Sequence, residues 1–101
     1  MRTLTDNEIS VALASLANWE HQVDTLARLA PTDDPKGFDE VIERVAGEDR
    51  DHISTVDTPN GVVLRVATPE ARGITAVDVE LAARIEQAIE MGGADAVPPS
   101  A

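Results

Sequence analysis

The residues best suited to chemistry lie in one short stretch, Gly47 to Ser54, "GEDRDHIS". It holds His52, one of 2 histidines in the chain, beside Asp51 and close to Glu48, Asp49 and Arg50. An imidazole has an unperturbed pKa of about 6.5, so it can accept or deliver a proton near neutral pH. Asp51 makes the pair a candidate carboxylate–imidazole dyad, with Thr68 at the end of a returning strand and Glu70 just after it as further polar candidates. Such a set suits proton transfer. The same residues also fit a solvated connection between a helix and a strand, because runs of charge usually face water. His21, the second histidine, reads as a surface residue, and Trp19 reads as core.

The elements around this stretch follow from capping and periodicity. "LTDNEI" at Leu4–Ile9 is a helix start, with Thr5 as N-cap, Glu8 in the reciprocal position and Leu4 against Ile9 as a staple. The helix is predicted over Asp6–Leu16, with Ile9, Ala12, Leu13 and Leu16 on one face. Trp19–Val23 and Leu26–Ala30 read as a hairpin turning at Asp24 and Thr25. Asp34 caps and Pro35 opens a second helix, in which Phe38, Val41, Ile42 and Val45 recur at helical spacing before it fades near Ala46 or Gly47. Ile53–Asp57 and Val62–Thr68 are rich in β-branched residues and are joined by "TPNG", strong turn chemistry. "ITAVDV" at Ile74–Val79 repeats the first capping grammar, with Thr75 as N-cap and Asp78 three residues on. The last helix is predicted from Ala76 to Met91, with Val77, Leu81, Ile85, Ala88 and Ile89 as its apolar side. Gly92 and Gly93 stop it, and the tail over 92–101 is expected to be disordered.

The order is helix, hairpin, helix, hairpin, helix. Two hairpins make a four-stranded antiparallel sheet with three helices on one face, an α+β fold occupying residues 1–91 as a single domain. A chain of 101 residues with 43% hydrophobic and 2% aromatic residues supports one largely aliphatic core.

Charge and composition exclude several functions. Against 19 Asp and Glu there are 8 Lys and Arg, a net charge of −11, so nucleic acid and an acidic membrane surface are not expected partners. No apolar run approaches the roughly 18–20 residues that span a bilayer, and "MRTLTDNEIS" lacks the apolar middle of a signal peptide, so a cytoplasmic protein is expected. With 0 cysteines there is no disulfide, thiol nucleophile or zinc-thiolate site. Neither the histidines nor the carboxylates are spaced as metal ligands, and no cofactor is called for.

The chain resembles the pterin-4a-carbinolamine dehydratase (DCoH-like) family over almost everything except the tail. "LTDNEISVALASLANWE" is similar to that family's leading helix and the Trp that follows it, and "GITAVDVELAARIEQAI" is similar to its closing helix start and last helix. The family's signature is an acidic residue, a His-His-Pro triplet and a third His eighteen positions beyond the first. Here the acid falls on Gly47, the triplet on Asp51, His52 and Ile53, and the third His on Pro69, so His52 alone remains. Thr68, Glu70, Gly73 and Asp78 match positions common in the family. The resemblance implies a lyase that expels water from a 4a-hydroxytetrahydropterin, with His52 and Asp51 as its catalytic residues here and Thr68, Glu70 and Asp78 around the substrate. It also implies a homodimer or homotetramer.

Two functions are compatible with this pattern. One is a divergent dehydratase whose ordinary activity is impaired or altered, since Asp51 is a poor proton donor and Pro69 offers no side-chain proton. The other is a non-catalytic binding or assembly module on the same fold, of the dimerisation-cofactor or Rubisco-assembly-factor type. The first requires space beside His52 that Gly47, Ile53 and Pro69 leave open. The second places function on an apolar stripe or a sheet edge, and an exposed strip on the last helix would call for a covering partner.

Overall fold

The computed structural model describes residues 2–90; the predicted helix end at Met91 and the tail over 92–101 lie outside them. The elements are α1 (Asp6–Leu13), β1 (Glu20–Gln22), β2 (Thr25–Ala30), α2 (Pro35–Ala46), a 3-10 segment (Gly47–His52), β3 (Ile53–Thr58), β4 (Gly61–Val66) and α3 (Ala76–Glu90). The four strands form one antiparallel sheet in the order β1-β2-β4-β3. The fold is therefore α+β, built from two hairpins joined along β2 and β4.

Alternation along the strands decides which face the helices cover. Leu26 and Ala30 on β2, Val62, Leu64 and Val66 on β4, and Ile53 on β3 are buried. They join Ile9, Phe38, Ile42, Leu81 and Ile85 from the three helices in one core cluster. Each fully buried Leu, Ile, Val or Phe contributes roughly 1.5–3 kcal/mol, so this layer is the main source of stability. The stripe expected on α3 faces inward: Leu81 and Ile85 are fully buried, and Val77 and Ala88 are half-buried. Among the described residues no helix covers the opposite sheet face, where Leu29 and Val56 are exposed.

Three boundaries differ from the sequence reading. The helix α1 stops at Leu13 because the chain tightens into i→i−3 turns, Ser15 N–H to the Ala12 carbonyl and Leu16 N–H to the Leu13 carbonyl. These turns still carry Leu16 and Trp19 into the core. In the first hairpin the turn lies at Val23–Asp24, one residue earlier than expected, because His21 pairs with Leu26. That register keeps Leu26 and Ala30 on the core face. As a result Val23 adopts φ 51, an unfavourable conformation for a β-branched residue. In the second hairpin β4 already begins at Gly61. A Cβ there would collide with the backbone carbonyl of Ala30, so only glycine fits.

Candidate active site

The candidate site forms where three chain segments meet: the end of the 3-10 segment, the stretch after β4, and the start of α3. Residues 47–52 connect α2 to β3 and are fastened at both ends. Arg50 Nη1 donates to the Ile53 carbonyl at 2.8 Å, and Arg84 on α3 donates to Asp49 Oδ2 at 3.2 Å and to the Val45 carbonyl at 3.3 Å. The stretch is a 3-10 segment with no buried residue, and Glu48 and Asp51 are exposed as in a solvated connection, while Asp49, Arg50 and His52 are half-buried. Its last residue joins the sheet, as Ala67 N–H donates to the His52 carbonyl at 3.0 Å.

His52 is fixed from behind. Its Nδ1 lies 2.9 Å from Asp78 Oδ1 and 3.3 Å from Thr68 Oγ1. The Asp78 carboxylate can only accept, so Nδ1 carries the proton and Nε2 is the ring atom left for another partner. Asp78 is in turn surrounded by donors. Its Oδ2 accepts from Thr68 Oγ1 at 2.7 Å and from Thr75 N–H at 2.8 Å. The hydroxyl of Thr68 spends its one proton on Asp78, so the 2.7 Å contact between Thr68 and Thr75 has Thr75 as donor. Asp78 and Thr75 are fully buried and Thr68 is 1% exposed, while the His52 side chain keeps 14% of its surface accessible. A buried carboxylate satisfied by three groups holds an imidazole whose far edge meets solvent.

That edge borders a pocket of about 170 Å³ lined by Thr25, Asp51, His52, Ser54, Arg65 and Pro69, with Ile53 and Ala67. Gly47 does not intrude, since a Cβ added there would meet nothing within 4 Å. Ile53 turns its side chain into the core and is 6% exposed. Asp51 is exposed on the pocket wall, and His52 pairs with Asp78 rather than with Asp51. Glu70 is exposed and lies off the pocket wall. Thr68 and Asp78 sit behind His52, out of reach of a ligand in the pocket.

Thr75 belongs to this network although its sequence signal was only that of a helix cap. Ser54, Arg65 and Thr25 reach the pocket through strand register, for which no motif exists. Among the described residues no group of three or more His, Cys, Asp or Glu side chains is placed to hold a metal ion. No helix of these residues is long and apolar enough to cross a membrane.

Comparison with known proteins agrees with this architecture. A search of curated proteins finds no match. Among solved structures, the chain is similar to the crystal structure of a transcriptional coactivator/pterin dehydratase from Brucella melitensis, with a TM-score of 0.73 and 24% identity. The match covers 85% of this chain and 97% of that one, and at this identity it speaks for the fold. The sequence model of the pterin 4 alpha carbinolamine dehydratase family matches residues 2–88. Two hairpins, three covering helices and a match over nearly the whole described chain lead to one assignment: the chain belongs to the pterin 4 alpha carbinolamine dehydratase family.

Proposed function

We propose that the chain binds a reduced pterin in the His52 pocket and acts on it as a divergent 4a-hydroxytetrahydropterin dehydratase. The observation that carries this reading is the 2.9 Å contact between His52 Nδ1 and the buried Asp78 carboxylate, which leaves Nε2 as the unengaged ring nitrogen of a residue on the pocket wall. Dehydration needs one group to take a proton from a ring nitrogen and another to give one to the departing hydroxyl. In this reading the His52 imidazolium, stabilised by Asp78, delivers its Nε2 proton to the hydroxyl, which leaves as water. The Asp51 carboxylate on the same wall takes the ring-nitrogen proton, and solvent returns both groups to their starting state. Thr68, Thr75 and Asp78 act through His52 as positioning residues, and Glu70 lies outside the chemistry.

Pro69 stands on the pocket wall where the family pattern has a histidine, and Asp51 stands where it has another. Each acid or base lost from a site typically costs on the order of 10² to 10⁴ in rate. Slow turnover is therefore expected. The test is a titration with a reduced pterin followed by amide chemical shifts, together with turnover by the wild type and His52→Ala. Shifts centred on His52 and turnover that falls with the substitution support the reading. Silence at His52, or turnover unaffected by its loss, refutes it.

A second reading, a binding or assembly module, draws on the uncovered sheet face. There Leu29, Val63 and Val56 form a row across β2, β4 and β3, with Leu29 43% and Val56 49% exposed. A homodimer or homotetramer is expected if this row is covered by another copy. Sedimentation of the wild type and of Leu29→Lys checks it, with dissociation of the variant as the supporting result.

A further inference from the structure

The pocket beside His52 opens onto the sheet face that no helix of the described residues covers, and Arg65 stands on that face with its charge unpaired. Pairing register sets Glu20, Ala27, Arg65 and Ser54 in a single row across the four strands. The two direct neighbours of Arg65 are thus Ala27 and Ser54, both small and uncharged. One residue beyond the ladder, Ala67 N–H bonds the carbonyl of His52, the last residue of the 3-10 segment, and Arg65 and His52 line the same pocket.

Four of the arginines are engaged within the fold. Arg2 pairs with Glu8, Arg28 with Glu86, and Arg84 with Asp49, while Arg50 donates to the Ile53 carbonyl. Arg65 has no ion pair and no side-chain hydrogen bond among the described residues, which is true also of Lys36, Arg44 and Arg72; of these four it alone lines the hollow beside His52. It borders the His52 pocket and also a wider hollow of about 550 Å³ that runs over Ala27, Leu29 and Val63. An exposed cation without an ion pair therefore stands where two hollows meet, one of them lined also by His52, on a molecule with a net charge of −11.

We infer that Arg65 is the anion-binding residue of this site, and that its ligand carries a carboxylate or phosphate group that pairs with the guanidinium while the reacting end meets His52 Nε2. This rests on the proposed use of the pocket and narrows its substrate class to an anion-bearing one. A guanidinium presents a planar fork of donors that matches either anion bidentately, and placement on a strand fixes its origin. A neutral ligand would leave this cation unused.

The experiment compares pterin-6-carboxylate with neutral 6-hydroxymethylpterin, each titrated into the full chain and followed by amide shifts and fluorescence, with inorganic phosphate as a third probe. The wild type is expected to bind the carboxylate about tenfold more tightly, with shifts at both His52 and Arg65. Arg65→Gln should abolish the preference and Arg65→Lys should keep part of it, both folded as judged by unchanged melting. Equal affinities in the wild type, or a preference that survives Arg65→Gln, would overturn the inference while leaving pterin binding intact. If neither pterin binds but phosphate shifts His52 and Arg65 in the wild type alone, the inference stands and the pterin reading falls. If no probe binds, both fall.

Discussion

The same capping grammar occurs twice in this chain, and its two copies lie side by side, since Leu4 N–H donates to the Ile74 carbonyl at 2.8 Å. At the start of α1 the box is complete: Thr5 Oγ1 accepts from Glu8 N–H at 3.2 Å and Glu8 Oε1 accepts from Thr5 N–H at 2.9 Å. It faces water, and Arg2 clasps Glu8 with two bonds. At the start of α3 only half of the box forms. Asp78 Oδ2 accepts from Thr75 N–H, but the Thr75 hydroxyl turns to Thr68, and Asp78 Oδ1 turns to His52. Burial makes the difference. In water a cap needs nothing beyond its own helix, whereas a sealed carboxylate requires every available donor, and one of those donors is an imidazole facing a pocket.

Substitutions can break this contrast, and the largest effect belongs to Asp78. Asp78→Ala leaves the Thr75 N–H, the Thr68 hydroxyl and His52 Nδ1 without an acceptor in a closed space. We expect a loss of about 3 kcal/mol in unfolding free energy, read by chemical denaturation, together with loss of pterin turnover. His52→Ala reverses the balance: turnover should fall by on the order of 10² to 10⁴, with a smaller change in stability because that side chain meets solvent. A stability loss equal to that of Asp78→Ala would mean that His52 is a core residue and not a working group.

The two N-caps sharpen the contrast. Thr75→Ala should cost about 2 kcal/mol and also slow turnover, whereas Thr5→Ala should cost about 1 kcal/mol and leave turnover unchanged. Equal effects on turnover would deny the second box its link to the site. The smallest effect concerns pH. The Arg2 guanidinium, and after it the Thr5 N–H, hold the Glu8 carboxyl down to about 2. A folded pKa below the unfolded one, about 4.3, gives stability that is present above pH about 4.3 and lost as pH falls toward about 2. The Glu8 side chain keeps 41% of its surface accessible, so salt screens this contribution. The melting difference between wild type and Glu8→Gln should therefore shrink with added salt and close as pH falls from about 4 toward about 2.

Much of this organisation was legible in the sequence. Both caps, the α2 start at Asp34 and Pro35, and the "TPNG" hairpin follow from local chemistry that tertiary structure did not override. The hairpin after Trp19 was placed one residue late, because its register is set by Leu26 reaching the core and not by its turn residues. Around His52 the sequence named Asp51, its neighbour, while the structure supplies Asp78, 26 residues away. Such a pairing depends on how α3 docks over β4, which no spacing rule contains. Thr75 was visible as a cap, and only burial reveals its place behind Thr68. Arg65 carries no motif at all; its position beside the pocket is a consequence of pairing with Ser54.

The central claim is that Asp78 holds His52 with Nδ1 protonated and Nε2 turned to a ligand. The most direct test is the imidazole ¹⁵N spectrum of the neutral side chain, recorded with and without a reduced pterin. We predict a protonated Nδ1 and a bare Nε2 in the wild type, an Nε2 resonance that moves on pterin addition, and loss of the single tautomer in Asp78→Asn. A neutral wild-type His52 that carries its one proton on Nε2 and leaves Nδ1 bare, or an Nε2 resonance indifferent to the pterin, would contradict the account.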